Sequence, residues 1–183
     1  MALRDRLDTL YLCWLAKPQG DRQLFKSLCR QPARRIVELG MVSHDRTLRL
    51  LRLAKRLSGD AELHYTGIDL FDARPETAPR LTLKETHRVL SNQGATIRLV
   101  PGDIAGGLAR SANQLGGTQL LIVSSEIDEA AAERMWSFVP RMLDASSHVW
   151  VGSLQAGEWQ YEQISTTEIE RRAEQGGRQR RAA

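Results

Sequence analysis

The sequence predicts a doubly wound α/β domain in which a mostly parallel, Rossmann-like sheet carries helices on both faces. From Arg34 onward, short β-rich runs alternate with helical patterns, which is typical of parallel strands joined by crossover helices. The run 119–123 is the most continuous apolar run of the chain, as expected of a strand that is buried on both faces. The chain has 183 residues and is 42% hydrophobic, which is enough for one domain with a substantial core.

The elements follow one another at short intervals. The predicted strands are 35–39, 63–69, 96–100, 119–123 and 148–151. The predicted helices between them are 46–57, 79–90, 104–115 and one that begins after Asp128. Gly59 suits a left-handed helix cap at the end of the first of these helices. Because only 29 residues follow Leu154, including one short alternating run at 159–161, we expect the C-terminal end of the sheet to be shortened.

Three regions are predicted. Residues 1–32 contain two amphipathic helical patterns, at 2–16 and 21–30, and we expect them to form a helical lid or cap. Residues 33–165 form the α/β domain. Residues 166–183 are highly charged and are expected to be a flexible tail.

The aromatic and thiol side chains are expected to be structural. Leu3, Leu7, Leu10 and Trp14 share one face of the first predicted helix, and we expect that face to be buried. The same interpretation applies to two further tryptophans, Trp136 and Trp150, and to the two cysteines, Cys13 and Cys29.

The apolar segment 10–16 could be taken for part of a signal peptide. Asp5 and Asp8 precede it, however, and no small-residue cleavage site follows. We therefore expect a cytoplasmic protein that does not contact a membrane.

The formal net charge is +4, and arginine supplies nearly all of the positive charge. The basic residues concentrate at Arg34 and Arg35, on the helix face 46–56 and in the tail 171–181. Acidic residues are interleaved, so a solvated basic surface is favoured over a nucleic-acid site, which stays open as an alternative.

Acidic residues follow three successive predicted strands. Glu38-Leu39-Gly40 ends the first, Asp69 ends the second, and Gly102-Asp103 follows the third. Ligands of an open α/β sheet bind at the carboxyl ends of its strands, near the point where the strand order reverses. The first turn lacks the pattern Gly-x-Gly-x-x-Gly, which argues against a nicotinamide-dependent dehydrogenase.

These three motifs together resemble the class I S-adenosylmethionine-dependent methyltransferases, over roughly two thirds of the chain. The resemblance implies that Gly40 passes under the methionine moiety, that Glu38 faces its amino end, and that Asp69 binds the ribose hydroxyls. It further implies that Leu70 or Phe71 packs on the adenine.

The resemblance also assigns residues of the third motif and of the first turn. Asp103 and the backbone amide of Ile104 would bracket the adenine edge, although Asp103 also suits a helix N-cap. His44, in the first turn, could contact a carboxylate or the substrate.

The fourth strand end, 124–128, is where such a family places its substrate. Glu126 and Asp128 are candidate catalytic residues, as ligands of the acceptor or as a general base. Ser124 stands where related metal-dependent enzymes carry a metal-binding aspartate, so we expect no metal. The absence of an Asn/Asp-Pro-Pro-aromatic motif argues against methylation of nucleic-acid bases, and a small-molecule acceptor with O- or N-methylation is the predicted partner.

Two alternatives remain from the sequence. The family usually has further glycines near Val42 or His44, and their absence is compatible with a methyltransferase-like binding module that does not catalyse. The Arg-rich faces are compatible with an RNA-associated protein. The sequence also leaves homodimer formation open.

Overall fold

The computed structural model describes residues 3–124, 129–155 and 157–182. Over these residues the strands are β1 (Arg35–Leu39), β2 (His64–Asp69), β3 (Thr96–Pro101), β4 (Thr118–Val123), β5 (Leu143–Gln155) and β6 (Glu158–Ile164). The helices are α1 (Leu3–Trp14), α2 (Asp21–Arg30), α3 (His44–Ser58), α4 (Leu83–Leu90), α5 (Ile104–Ser111), α6 (Glu129–Trp136) and α7 (Thr166–Ala182).

One sheet contains all six of these strands, in the order β3-β2-β1-β4-β5-β6. β1 to β5 pair in parallel, and β6 returns antiparallel to β5. The strand order reverses between β1 and β4, because β1 connects to β2 on one side and the chain later crosses back to β4 on the other. The predicted doubly wound α/β fold is confirmed, and its switch point lies at the carboxyl ends of β1 and β4.

Side chains of the parallel strands alternate between two cores because successive residues of a strand point to opposite faces. Ile36 belongs to the core beneath α1 to α4, and Val37 to the core beneath α5 and α6. In the first core, Leu24 and Phe25 of α2 are fully buried. Hydrophobic burial on both faces fixes the register, since a one-residue shift would exchange the two cores.

The C-terminal segment differs from the flexible tail that its charge suggests. Residues 166–182 form the helix α7, which packs on α6. Ile169 is buried, and the guanidinium of Arg172 lies 5.0 Å from the ring centroid of Trp136. A Cβ at Gly176 would stand 2.0 Å from the carbonyl oxygen of Glu133, so the two helices approach closely at this glycine. Tertiary packing, which local composition does not reveal, orders this helix.

The first helix also differs from its prediction. Trp136 and Trp150 are buried, as the sequence indicates, but Trp14 is 61% exposed and the expectation that it packs in the core is wrong. α1 instead buries Leu12 and Cys13, and Ala16 is buried just after the helix ends. Among the described residues, no helix is both long and apolar enough to cross a membrane.

Candidate functional site

A cavity of about 680 Å³ opens at the carboxyl ends of β1 to β4, beside the switch point of the sheet. This volume falls within the ~300–1,000 Å³ of ordinary small-molecule sites. The turn after β1, the loop after β2, the start of α5 and the hairpin of β5 and β6 each contribute to its walls. The lining residues include Gly40, Asp69, Leu70, Arg74, Asp103, Ile104, Ser124 and Trp159.

Gly40 forms the floor of the turn after β1. Its φ is 77°, in the left-handed region that favours glycine, and its N–H donates to the carbonyl of Ile68 at 2.9 Å. Ser43 caps α3 by accepting from the N–H of Arg46 at 3.2 Å. Gly40 therefore lets the chain turn tightly under the cavity before α3 begins.

Asp69 ends β2 with its carboxylate at the cavity, and four donors surround it. Oδ1 accepts from the N–H of Phe71 at 2.9 Å, and Oδ2 from the N–H of Met41 at 2.7 Å. Arg74 adds a bidentate ion pair, with Nε at 2.7 Å from Oδ1 and Nη2 at 2.6 Å from Oδ2. These four bonds saturate the carboxylate, because each of its oxygens offers about two acceptor positions.

Leu70, Asp103 and Ile104 bring two apolar side chains and one carboxylate to the same cavity. Leu70 is partly exposed, and Ile104 is buried at the first turn of α5. Asp103 caps α5, with Oδ1 accepting from the N–H of Gly106 at 2.8 Å. Phe71, the other candidate for the adenine contact, is buried in the core.

Glu38 and His44, which the resemblance places at the cofactor, are absent from the described lining of the cavity. Glu38 is fully buried on the face of the sheet that carries α3. The ring nitrogen Nε2 of His44 lies 2.8 Å from the hydroxyl of Thr86 on α4, so this histidine joins two helices.

The carboxylate of Glu38 belongs to a buried polar cluster. It accepts a short charged bond from Arg46, a bond from the hydroxyl of Tyr65 at 2.9 Å and a bond from the hydroxyl of Thr47 at 3.1 Å. Arg46 is itself buried and also donates to the hydroxyls of Ser124, at 3.1 Å, and Tyr161. We name these six residues, Glu38, Arg46, Thr47, Tyr65, Ser124 and Tyr161, the Glu38–Arg46 cluster.

The electrostatics of the Glu38–Arg46 cluster favour a charged Arg46 and neutral phenols. Burial, followed by the charge of Glu38, raises the pKa of Tyr65 well above its usual value. Burial also raises the pKa of Tyr161 to about 12. Burial is the largest single influence and would lower the pKa of Arg46, but the charges of Glu38 and its other acidic neighbours together outweigh it and the pKa is raised. Arg46 therefore stays charged and both tyrosines stay protonated at neutral pH.

Ser124 joins this cluster to the cavity. It ends β4, lines the cavity, and its hydroxyl lies 2.9 Å from that of Tyr161. Its neighbours Glu126 and Asp128, the candidate catalytic residues, lie outside the residues that the structure describes. Their role stays a prediction.

The sequence did not single out Arg74 or Trp159 as cavity residues, or Tyr161 as a partner of Arg46. One signal could have identified the cluster: Arg46 stands in the first turn of α3, where the helix dipole disfavours a cation. A cation at that position indicates a carboxylate partner nearby. Arg74 and Trp159 give no comparable signal.

The Arg-rich face of α3 is not one continuous solvated surface. Arg46 is buried, and Arg56 ion-pairs with Asp5 and Asp8 of α1 at 3.5 Å each. Arg49 donates to the carbonyl of Lys17 at 3.0 Å. In residues 3–124, 129–155 and 157–182, no cluster of three or more histidine, cysteine or acidic residues has the arrangement of a metal site.

No protein-family model and no curated protein matches this chain. Among solved structures, it is similar to a TehB-like S-adenosylmethionine-dependent methyltransferase from Corynebacterium glutamicum, with 15% identity and a TM-score of 0.48 over 94% of this chain and 79% of that one. It is also similar to MnmC2 from Aquifex aeolicus, with 9% identity and a TM-score of 0.47 over 81% of this chain and 61% of that one. At these values neither similarity carries an argument for activity.

Proposed function

We propose that the cavity at the carboxyl ends of β1 to β4 binds S-adenosylmethionine. On this proposal the chain is a methyltransferase that transfers the methyl group to an oxygen or a nitrogen atom of a small-molecule acceptor. The observation that carries the proposal is the convergence of Gly40, Asp69 and Asp103 on one cavity of about 680 Å³. These residues come from three separate strand ends. They lie along the carboxyl edge of the sheet beside its switch point, and ligands of open α/β sheets bind at such an edge.

The lining residues fit such a cofactor in three respects. Leu70 and Ile104 offer apolar contacts for an adenine ring, and Asp103 offers a carboxylate at its edge. Gly40 lines the cavity and has no side chain, so its tight turn would present backbone to the ligand. When bound, the cofactor would supply an electrophilic methyl group on a sulfonium sulfur.

The acceptor is proposed to lie near the end of β4. The hydroxyl of Ser124, held by Arg46 and Tyr161, is fixed in direction and can orient a polar group of the acceptor. Glu126 and Asp128 follow it in the chain and are the proposed source of a general base, which is needed only if the acceptor is protonated.

Arg74 competes with the ribose of the proposed cofactor for the carboxylate of Asp69. The ribose hydroxyls can bond to Asp69 only after Arg74 releases its carboxylate, since the four acceptor positions are already taken. The cofactor would therefore bind with an affinity reduced by the free energy of this ion pair.

The Asp69–Arg74 pair also favours a second candidate function, a methyltransferase-like module that does not catalyse. A carboxylate that is saturated by its own chain needs no ligand to satisfy it. In this second function the ion pair would be permanent and would stabilise the loop 70–79 around the cavity.

Calorimetric titration with S-adenosylmethionine and with S-adenosylhomocysteine distinguishes the two. We expect binding to the wild type, loss of binding in Asp69→Ala, and tighter binding in Arg74→Ala because the competing cation is gone. Arg80→Ala is the matched control, since this exposed arginine of the same loop is not part of the cavity lining. The absence of binding heat for both ligands in the wild type and in Arg74→Ala would refute the proposal.

A further inference from the structure

Helix α1 carries an apolar stripe on its solvent side. Its members are 49% to 75% exposed, and they make up six of the eight large hydrophobic side chains that are exposed in the described part of the chain. They are Leu3, Leu7, Leu10, Tyr11 and Trp14, together with Leu15, which directly follows the helix. Isolated apolar side chains at a surface are ordinary, but a contiguous row of this kind marks an interaction surface.

The opposite side of α1 is already anchored to the domain. Leu12 and Cys13 are buried, and Asp5 and Asp8 ion-pair with Arg56 of α3. The helix therefore cannot rotate to bury its stripe without breaking these contacts. In the described residues, nothing else covers the stripe: Lys26 touches only one ring, with its Nζ 3.9 Å from the centroid of Trp14.

The spacing of the stripe is that of a helix-pairing seam. Leu3, Leu7, Leu10 and Trp14 are separated by four, three and four residues. This alternation keeps side chains on the line where two helices meet and interlock. The seam also pairs with itself when the second helix runs antiparallel, because position 3 then meets position 14 and position 7 meets position 10.

Charge favours the antiparallel arrangement. Arg4 and Arg6 flank the seam in its N-terminal half, and the acidic residues of α1 are engaged with Arg56. Antiparallel pairing separates Arg4 from its symmetry mate by about 13 Å along the helix axis and Arg6 from its mate by about 8 Å, whereas parallel pairing would place like charges side by side. The antiparallel arrangement also brings Arg4 to the level of Tyr11 and Leu15 of the second copy, where its stem packs on apolar surface and its guanidinium meets an aromatic ring.

The area is of the right size for a dimer. Six large side chains at these exposures present roughly 600 Å² of apolar surface, taking ~150–200 Å² for each when free. A stable interface buries about 800 Å² on each partner. The rest of the required area comes from the aliphatic stems of Arg4, Arg6 and Lys26, which lie beside the seam.

We infer that the stripe on α1 is the interface of a symmetric homodimer, in which the α1 helices of two copies pack antiparallel through Leu3, Leu7, Leu10 and Trp14. The interface lies away from the cavity, whose described lining contains no residue of α1. Its formation is therefore independent of the cofactor and of the proposed function.

Sedimentation equilibrium of the full chain, from high-nanomolar to high-micromolar concentration, tests this inference. We expect the wild type to dimerise in the micromolar range. The double variant Leu7→Glu/Leu10→Glu should weaken the dimer by ~30-fold or more, since each buried carboxylate occurs twice in a two-fold interface. Both leucines are already exposed in the single chain, so its far-UV circular dichroism should not change.

Leu154→Glu is the matched control, because Leu154 is another exposed leucine but lies on β5. It should dimerise like the wild type. A wild type that stays monomeric at all concentrations would overturn the inference, as would a dimer that survives the double variant. Binding of a monomeric wild type to phosphatidylserine vesicles would assign the stripe to a membrane surface and would also overturn it.

Cross-linking tests the orientation. A mixture of Leu7→Cys and Leu10→Cys chains should form mixed disulfide dimers in preference to dimers of either variant alone. Preferential pairing of each variant with itself would indicate parallel helices and would refute the antiparallel arrangement. The wild type, with its own Cys13 and Cys29, measures the background.

Discussion

Replacing Glu38 by glutamine should be one of the most destabilising single changes in this protein. The substitution removes the buried anion and leaves the guanidinium of Arg46, which is only 3% exposed, with neutral partners alone. Loss of one partner of a buried ion pair costs about 3–5 kcal/mol, because the remaining charge stays away from water. For a chain of this size each kcal/mol lowers the unfolding midpoint by roughly 2–4 °C, so a decrease of roughly 10 °C is expected.

Urea unfolding followed by circular dichroism measures this effect, and a double-mutant cycle isolates it. The double variant Glu38→Gln/Arg46→Met should be less destabilised than the sum of its single variants, since it leaves no unpaired charge. Glu62→Gln is the control, because Glu62 is 70% exposed in its contact with His64 and such pairs contribute little. A loss of less than ~1 kcal/mol in Glu38→Gln would show that water reaches the cluster and would refute the reasoning.

Three further predictions concern α2. Burial raises the pKa of Asp21 from 3.8 to about 6. The folded protein therefore binds this proton more tightly than the unfolded chain does, and the free energy of unfolding falls as the pH rises from about 4 to about 6. Urea titrations should show that Asp21→Asn removes this fall, which is at most ~3 kcal/mol, and an unchanged pH slope would contradict the assignment. Burial also raises the pKa of Cys29 to about 12. This thiol should therefore react with iodoacetamide at pH 8 far more slowly in the folded protein than in the denatured chain. Equal rates would show that the thiol is accessible in the folded protein. Gly20→Ala should cost about 1–3 kcal/mol in thermal unfolding, because its Cβ would stand 1.7 Å from the carbonyl oxygen of Trp159, whereas Gly116→Ala, which meets nothing within 4 Å, should be tolerated.

The sequence predicted the strands of this fold better than their ends. The patterns that identify β1 to β4 are local, and the structure places each of these strands within one residue of its predicted limits. β5 was predicted as four residues and has 13, because its extension depends on pairing with β6. α4 begins at Leu83 and not near Pro79, because the hydroxyl of Thr82 caps it by accepting from the N–H of Glu85.

The sequence predicted which residues line the cavity only where the sheet alone fixes their positions. Asp69 and Asp103 come together because the carboxyl ends of parallel strands share one edge. Glu38 does not join them, because the alternation along β1 directs its side chain to the face that carries Arg46. The wrong prediction that Trp14 is buried has a similar origin. An apolar stripe shows that a helix is amphipathic, but it does not show which face of the helix packs on the domain.

The contacts of the Glu38–Arg46 cluster indicate the order in which the walls of the cavity form during folding. Glu38 and Arg46 are eight residues apart, but Arg46 and Tyr161 are 115 apart, so the first pair can form locally while the second must wait until β6 docks. β6 also carries Trp159 to the cavity. A ligand that contacts Trp159 would therefore stabilise the state in which β6 is paired, and it should slow amide hydrogen exchange along β6.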